Sequence, residues 1–96
     1  MTVDRGDRRV LSITGDCDLA SAPELRRHIV RASTDVDELV IDLSGVGFID
    51  SVGLGLLVGA ARRVEHLIVV APDGSARRAL VATRLDQILN VTDSLL

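Results

Sequence analysis

A chain of 96 residues has room for one ordinary domain, so a single domain over residues 1–96 with a single site is expected. Apolar residues make up 47% and charged residues 26%, a balance that builds a core and excludes a disordered tail. A net charge of −3, with all 11 basic residues arginine and no Trp or Tyr, argues against nucleic acid as a partner.

Residues 10–14 read Val-Leu-Ser-Ile-Thr and predict a strand, against which Thr2, Val3 and Asp4 can fold back across a turn at Arg5-Gly6-Asp7. Ser21 and Glu24 have the spacing of a capping box, and Pro23 lies in the first turn, so a helix starts there. Ala22, Leu25, Ile29 and Ala32 give it an apolar face, with Arg26, Arg27 and Arg31 mainly on the other, and it ends near Ser33-Thr34. Residues 38–43, Glu-Leu-Val-Ile-Asp-Leu, read as a covered central strand that Ser44-Gly45-Val46-Gly47 breaks. A loop with Phe48, Ile49, Asp50 and Ser51 follows, then a second helix to about Val64, carried by Leu54, Leu57, Val58 and Ala61. Residues 67–70 predict another strand and residues 76–83 a third helix, while residues 85–91 fit either a helical tail or a last short strand.

Strands alternating with helices imply an α/β fold with a mixed, mostly parallel sheet, an N-terminal hairpin and packed helices. Right-handed crossovers make the strands at Val10, Leu39 and Leu67 parallel, so loops 15–20, 44–51 and 71–75 are expected on one edge of the sheet. Asp16, Asp18, Asp50 and Ser51 become candidates for one surface.

Cys17 alone excludes an internal disulfide and, with only His28 and His66, offers no cage for a metal; neither metal nor cofactor is expected. The longest apolar run, residues 67–71, is far below the roughly 20 residues of a membrane span, and the first five residues are not those of a signal peptide. A cytoplasmic protein that avoids membranes is expected.

Asp50-Ser51-Val52-Gly53-Leu54-Gly55 is the most informative stretch, because each glycine early in a helix costs about 1 kcal/mol relative to alanine. Either the glycines permit close packing and Asp50 or Ser51 is only a cap, or small residues leave a serine hydroxyl and the positive helix end open to a partner. A dinucleotide fingerprint fails, since Gly59 comes one position late after Gly53 and Gly55. Ile49 stands where a hydrolase nucleophile elbow needs glycine, and no lysine is present for a receiver-type site. No catalytic residue is assigned. Asp16 and Asp18 also suit simple turn chemistry.

Ile13-Thr14-Gly15-Asp16-Cys17-Asp18-Leu19-Ala20, followed by Ser21-Ala22-Pro23-Glu24-Leu25, resembles the stretch before the first helix of STAS domains. Asp42-Leu43-Ser44-Gly45-Val46 with Phe48-Ile49-Asp50-Ser51-Val52-Gly53-Leu54-Gly55 resembles that family's central motif, and the likeness is to the bacterial anti-anti-sigma factors, the anti-sigma factor antagonists. The resemblance implies a STAS-like fold and a non-enzymatic regulator of transcription. Ser51 matches the family's phosphorylated serine. Unphosphorylated, such a protein binds an anti-sigma factor, often itself a serine kinase, and releases a sigma factor; phosphorylation undoes that binding and a phosphatase restores it. The implied partner surface comprises Asp16, Asp18, Asp50, Ser51, Val52, Gly53 and Leu54. Val52 departs from the small hydroxyl residue frequent in the motif, and Arg84 from a frequent helix-ending glycine. The alternative is a STAS subunit that binds constitutively in a lipid-transport or stress-signalling assembly, without a phosphate switch.

Overall fold

The computed structural model describes residues 2–5 and 8–94. Among them run β1 (Thr2–Arg5), β2 (Arg8–Cys17), α1 (Ala22–Ala32), β3 (Glu38–Ile49), α2 (Ser51–Ala61), β4 (His66–Val70), α3 (Ser75–Ala82), a 3₁₀ turn (Leu85–Gln87) and β5 (Asn90–Thr92). The strands form one sheet in the order β1-β2-β3-β4-β5, β1 antiparallel and the others parallel to their neighbours. The order and type of the elements agree with the sequence reading, and residues 85–91 take both forms it allowed. The expected hairpin pairs Val3 with Val10, although the middle and end of its turn, Gly6 and Asp7, lie outside the described residues.

Each parallel step moves one strand along the sheet through a helical crossover, and right-handed crossovers that advance in one direction set their helices on one face. The core lies there: Leu11, Ile13, Leu39, Ile41, Leu43 and Val69 from the strands meet Ile29, Leu57 and Leu80 from the three helices. Residues 39–41 of β3 are wholly buried, as a strand with neighbours on both sides requires.

Three local expectations are corrected. The capping box does not form: Ser21 has helical backbone angles, its hydroxyl turns back to the Asp16 carbonyl (2.9 Å), and Glu24 pairs with His28 (3.6 Å) instead. The second helix ends at Ala61, where Arg62 and Arg63 donate to the carbonyls three residues back and tighten the last turn. The largest difference is in β3, which continues through the stretch read as a break. Ser12 faces Asp42 but Thr14 faces Gly45, and Gly15 faces Val46 but Asp16 faces Phe48. Two extra residues on β3 are absorbed as bulges, which keep the pairing with β2 while bending the strand.

That extension moves the site. Val70, the last residue of β4, lies opposite Asp42, whereas Cys17 lies opposite Ile49, seven positions further along β3. At 3.3 Å per residue this separates the end of β4 from the tip of the β2/β3 ribbon by up to about 20 Å. Loop 71–75 is therefore left behind, and the expected three-loop edge is a two-loop tip.

Candidate functional site

At the tip, the Asp50 amide donates to the Cys17 carbonyl (3.0 Å), which continues the strand pairing up to the first residue before α2. The Asp50 carboxylate then does three things. One oxygen, Oδ1, accepts from the amides of Val52 (2.9 Å) and Gly53 (3.0 Å) and caps the helix; the other, Oδ2, accepts from the Leu19 amide (3.2 Å). A single side chain thus closes the helix end and ties the β2/α1 turn to it.

This arrangement corrects the expectation of an open helix end. The Leu54 amide bonds the Asp50 carbonyl (2.9 Å), so the amides of residues 52, 53 and 54 are all occupied. What remains exposed is the Ser51 side chain, which makes no hydrogen bond among the described residues and projects from the first turn of α2. A phosphate there would find the Asp50 carboxylate in place of these backbone donors.

Asp18 realises its turn reading: Oδ1 accepts from the Ser21 amide (3.0 Å) and hydroxyl (3.2 Å). Asp16 is exposed beside Phe48 on the paired strand. The fold therefore brings Asp16, Asp18, Asp50, Ser51 and Val52 to one surface. Gly53 and Leu54, expected on it, are buried and support it from beneath. A Cβ on Gly53 would lie 2.7 Å from the Cys17 carbonyl oxygen and 2.8 Å from Ile49 Cγ1, so this glycine lets α2 press against the end of β2. Gly55 is the opposite case. Nothing lies within 4 Å of its missing Cβ, and it sits one helical turn after Ser51 on an exposed face.

Two residues of the surface lie in the loops expected there but are not singled out as site residues by the sequence. Leu19 is 72% and Phe48 50% exposed, and with Val52 they give the tip an apolar skin around its carboxylates. Only their position signals them, since a large apolar residue at a loop tip, beside Asp18 or after Gly47, has no core to enter. Cys17 is buried under the same tip, and burial, reinforced by the charges of Asp16, Asp18 and Asp50, pushes its thiol above the usual range. No group of three or more metal-binding side chains and no helix long and apolar enough to cross a membrane occurs among the described residues.

The chain and its fold have counterparts among known proteins. The family model of the STAS domain matches residues 1–95. The chain is 36% identical over 90 residues to the anti-sigma-F factor antagonist RsfB of Mycobacterium tuberculosis, covering 90% of this chain and 74% of that protein. It is 32% identical over 82 residues to the anti-sigma-B factor antagonist of Bacillus subtilis, covering 85% and 71% respectively. The crystal structure of an anti-sigma factor antagonist from Mycobacterium paratuberculosis superposes with a TM-score of 0.93 at 32% identity, over 99% of this chain and 85% of that one. Family match, relatives and fold agree: the chain belongs to the STAS domain family and, within it, to the anti-sigma factor antagonists.

Proposed function

We propose that this protein acts by partner exchange: with Ser51 unphosphorylated it binds an anti-sigma factor that is also a serine kinase and so frees a sigma factor. Phosphorylation of Ser51 by that kinase ends the binding, and a phosphatase acting on phospho-Ser51 restores it. The protein itself is a binding module and not an enzyme. The observation that carries this reading is the unbonded Ser51 hydroxyl on the exposed first turn of α2, at the centre of Asp16, Leu19, Phe48, Asp50 and Val52.

The physics of the switch follows from the cap. A phosphate adds about −1.5 to −2 charges next to a carboxylate that already occupies the amides of Val52 and Gly53. It is held at the surface, where water solvates it. A partner covering the tip must remove that water, and burying an unmatched double charge costs several kcal/mol, enough to dissolve a complex. Unfolding is unnecessary, because Asp50 keeps its three amide contacts. Incubation with ATP and the anti-sigma kinase should add one phosphate, mapped to Ser51 by mass spectrometry. A phosphate on Ser44, Ser75 or Thr83, with Ser51 unmodified, would refute the assignment.

A further inference from the structure

A shallow groove runs between α1 and α2, with Ala22, Pro23, Val52 and Leu56 as its apolar floor and Arg26 and Arg27 on its lip. Val52 belongs equally to the tip, so the groove continues directly from the Ser51 surface. Three arginines elsewhere in the fold are held in ion pairs, Arg8 with Glu38, Arg9 with Asp4 and Arg77 with Asp93. Arg26 and Arg27 have no hydrogen bond or ion pair among the described residues. Two adjacent unpaired guanidinium groups on the lip of one groove, in a chain of net charge −3, form a local positive site against an acidic background.

We infer that this groove docks an acidic, amphipathic segment of the anti-sigma partner, whose apolar side chains cover Val52 and Leu56 while its carboxylates meet Arg26 and Arg27. The inference rests on the proposed function and adds the chemistry of the partner's segment. Charge complementarity selects this occupant. A membrane surface of anionic headgroups would be repelled by Asp16 and Asp50 at the adjoining tip, and a nucleic acid would meet the same carboxylates without an aromatic platform. A partner reading both regions must present acid to α1, which fixes its orientation across the tip.

The test uses synthetic amphipathic peptides of Leu and Glu, and of Leu and Lys, titrated into the 15N-labelled protein. The Glu peptide should shift the amides of Ala22, Arg26, Arg27, Val52 and Leu56, with binding about tenfold weaker in the Arg26→Ala/Arg27→Ala variant and at high salt. Equal binding of the Lys peptide, shifts centred elsewhere, or binding of phosphatidylserine vesicles through these arginines would overturn the inference. In parallel, the Arg26→Glu/Arg27→Glu variant should bind the intact anti-sigma factor more weakly. If that variant binds normally while Ser51→Asp does not, the groove assignment fails and the proposed function stands; if Ser51→Asp also binds normally, the proposed function itself fails.

Discussion

Alanine at Gly55 and alanine at Gly53 are expected to move stability in opposite directions, although the two glycines stand two positions apart in the same helical turn. At Gly55 the new Cβ meets nothing within 4 Å, so the variant gains the helix propensity of alanine, about 1 kcal/mol. For a domain of this size that raises the melting temperature by roughly 4–8 °C. At Gly53 the same gain is opposed by contacts of 2.7 Å to the Cys17 carbonyl oxygen, 2.8 Å to Ile49 Cγ1 and 3.1 Å to Cys17 Cβ. Backbone cannot rotate aside as a side chain can. Relief requires the end of β2 to withdraw and to strain the 3.0 Å bond from Asp50 to Cys17, and overpacking of this kind costs about 1–3 kcal/mol. The net change is a loss of up to about 2 kcal/mol. Urea unfolding followed by circular dichroism should show the midpoint rising for Gly55→Ala and falling for Gly53→Ala, with unchanged slopes. Equal stabilisation of both would refute the close approach of α2 to β2. Because Gly55 shares the exposed face with Ser51, its stabilised variant should also bind the anti-sigma factor less well, which would account for a glycine that the fold alone disfavours.

Arg84 adopts a left-handed conformation at φ 61° where α3 gives way to the 3₁₀ turn, so Arg84→Gly should stabilise the protein by about 1 kcal/mol, measured in the same urea assay. Iodoacetamide at pH 8.5 should leave Cys17 unmodified in the native protein and alkylate it in urea, because burial holds the thiol protonated; rapid native labelling would contradict this. The hydrogen bond from Arg8 holds the Glu38 carboxyl below the usual range, so its contribution to stability is present above the ordinary carboxylate pKa and disappears as pH falls through the folded value. The stability difference between the parent and Glu38→Gln should accordingly be larger at neutral pH than in acid.

The helices and strands were legible because each carries its own period and punctuation: Pro23 in a first turn, the apolar run at Leu39, the apolar spacing from Leu54. The length of β3 was not. Ser44, Gly45 and Gly47 are loop formers locally, and only pairing with β2, a non-local interaction, holds them in a bulged strand. The placement of loop 71–75 failed for the same reason, since it depends on how far one strand outruns another. In the motif, Asp50 and Ser51 were legible as cap and exposed hydroxyl in either order, but the two roles of glycine were not separable. Gly53 is constrained by a residue 36 positions earlier, Cys17, and Gly55 by nothing in the fold.

Calorimetric titration of the anti-sigma factor with the unmodified protein, and with the same protein phosphorylated on Ser51, tests the central claim most directly. The unmodified form should bind tightly and the phosphorylated form about a hundredfold or more weakly, the equivalent of about 3 kcal/mol, with the melting temperature of the protein nearly unchanged. Equal affinity of the two forms would contradict the claim that Ser51 is the switch.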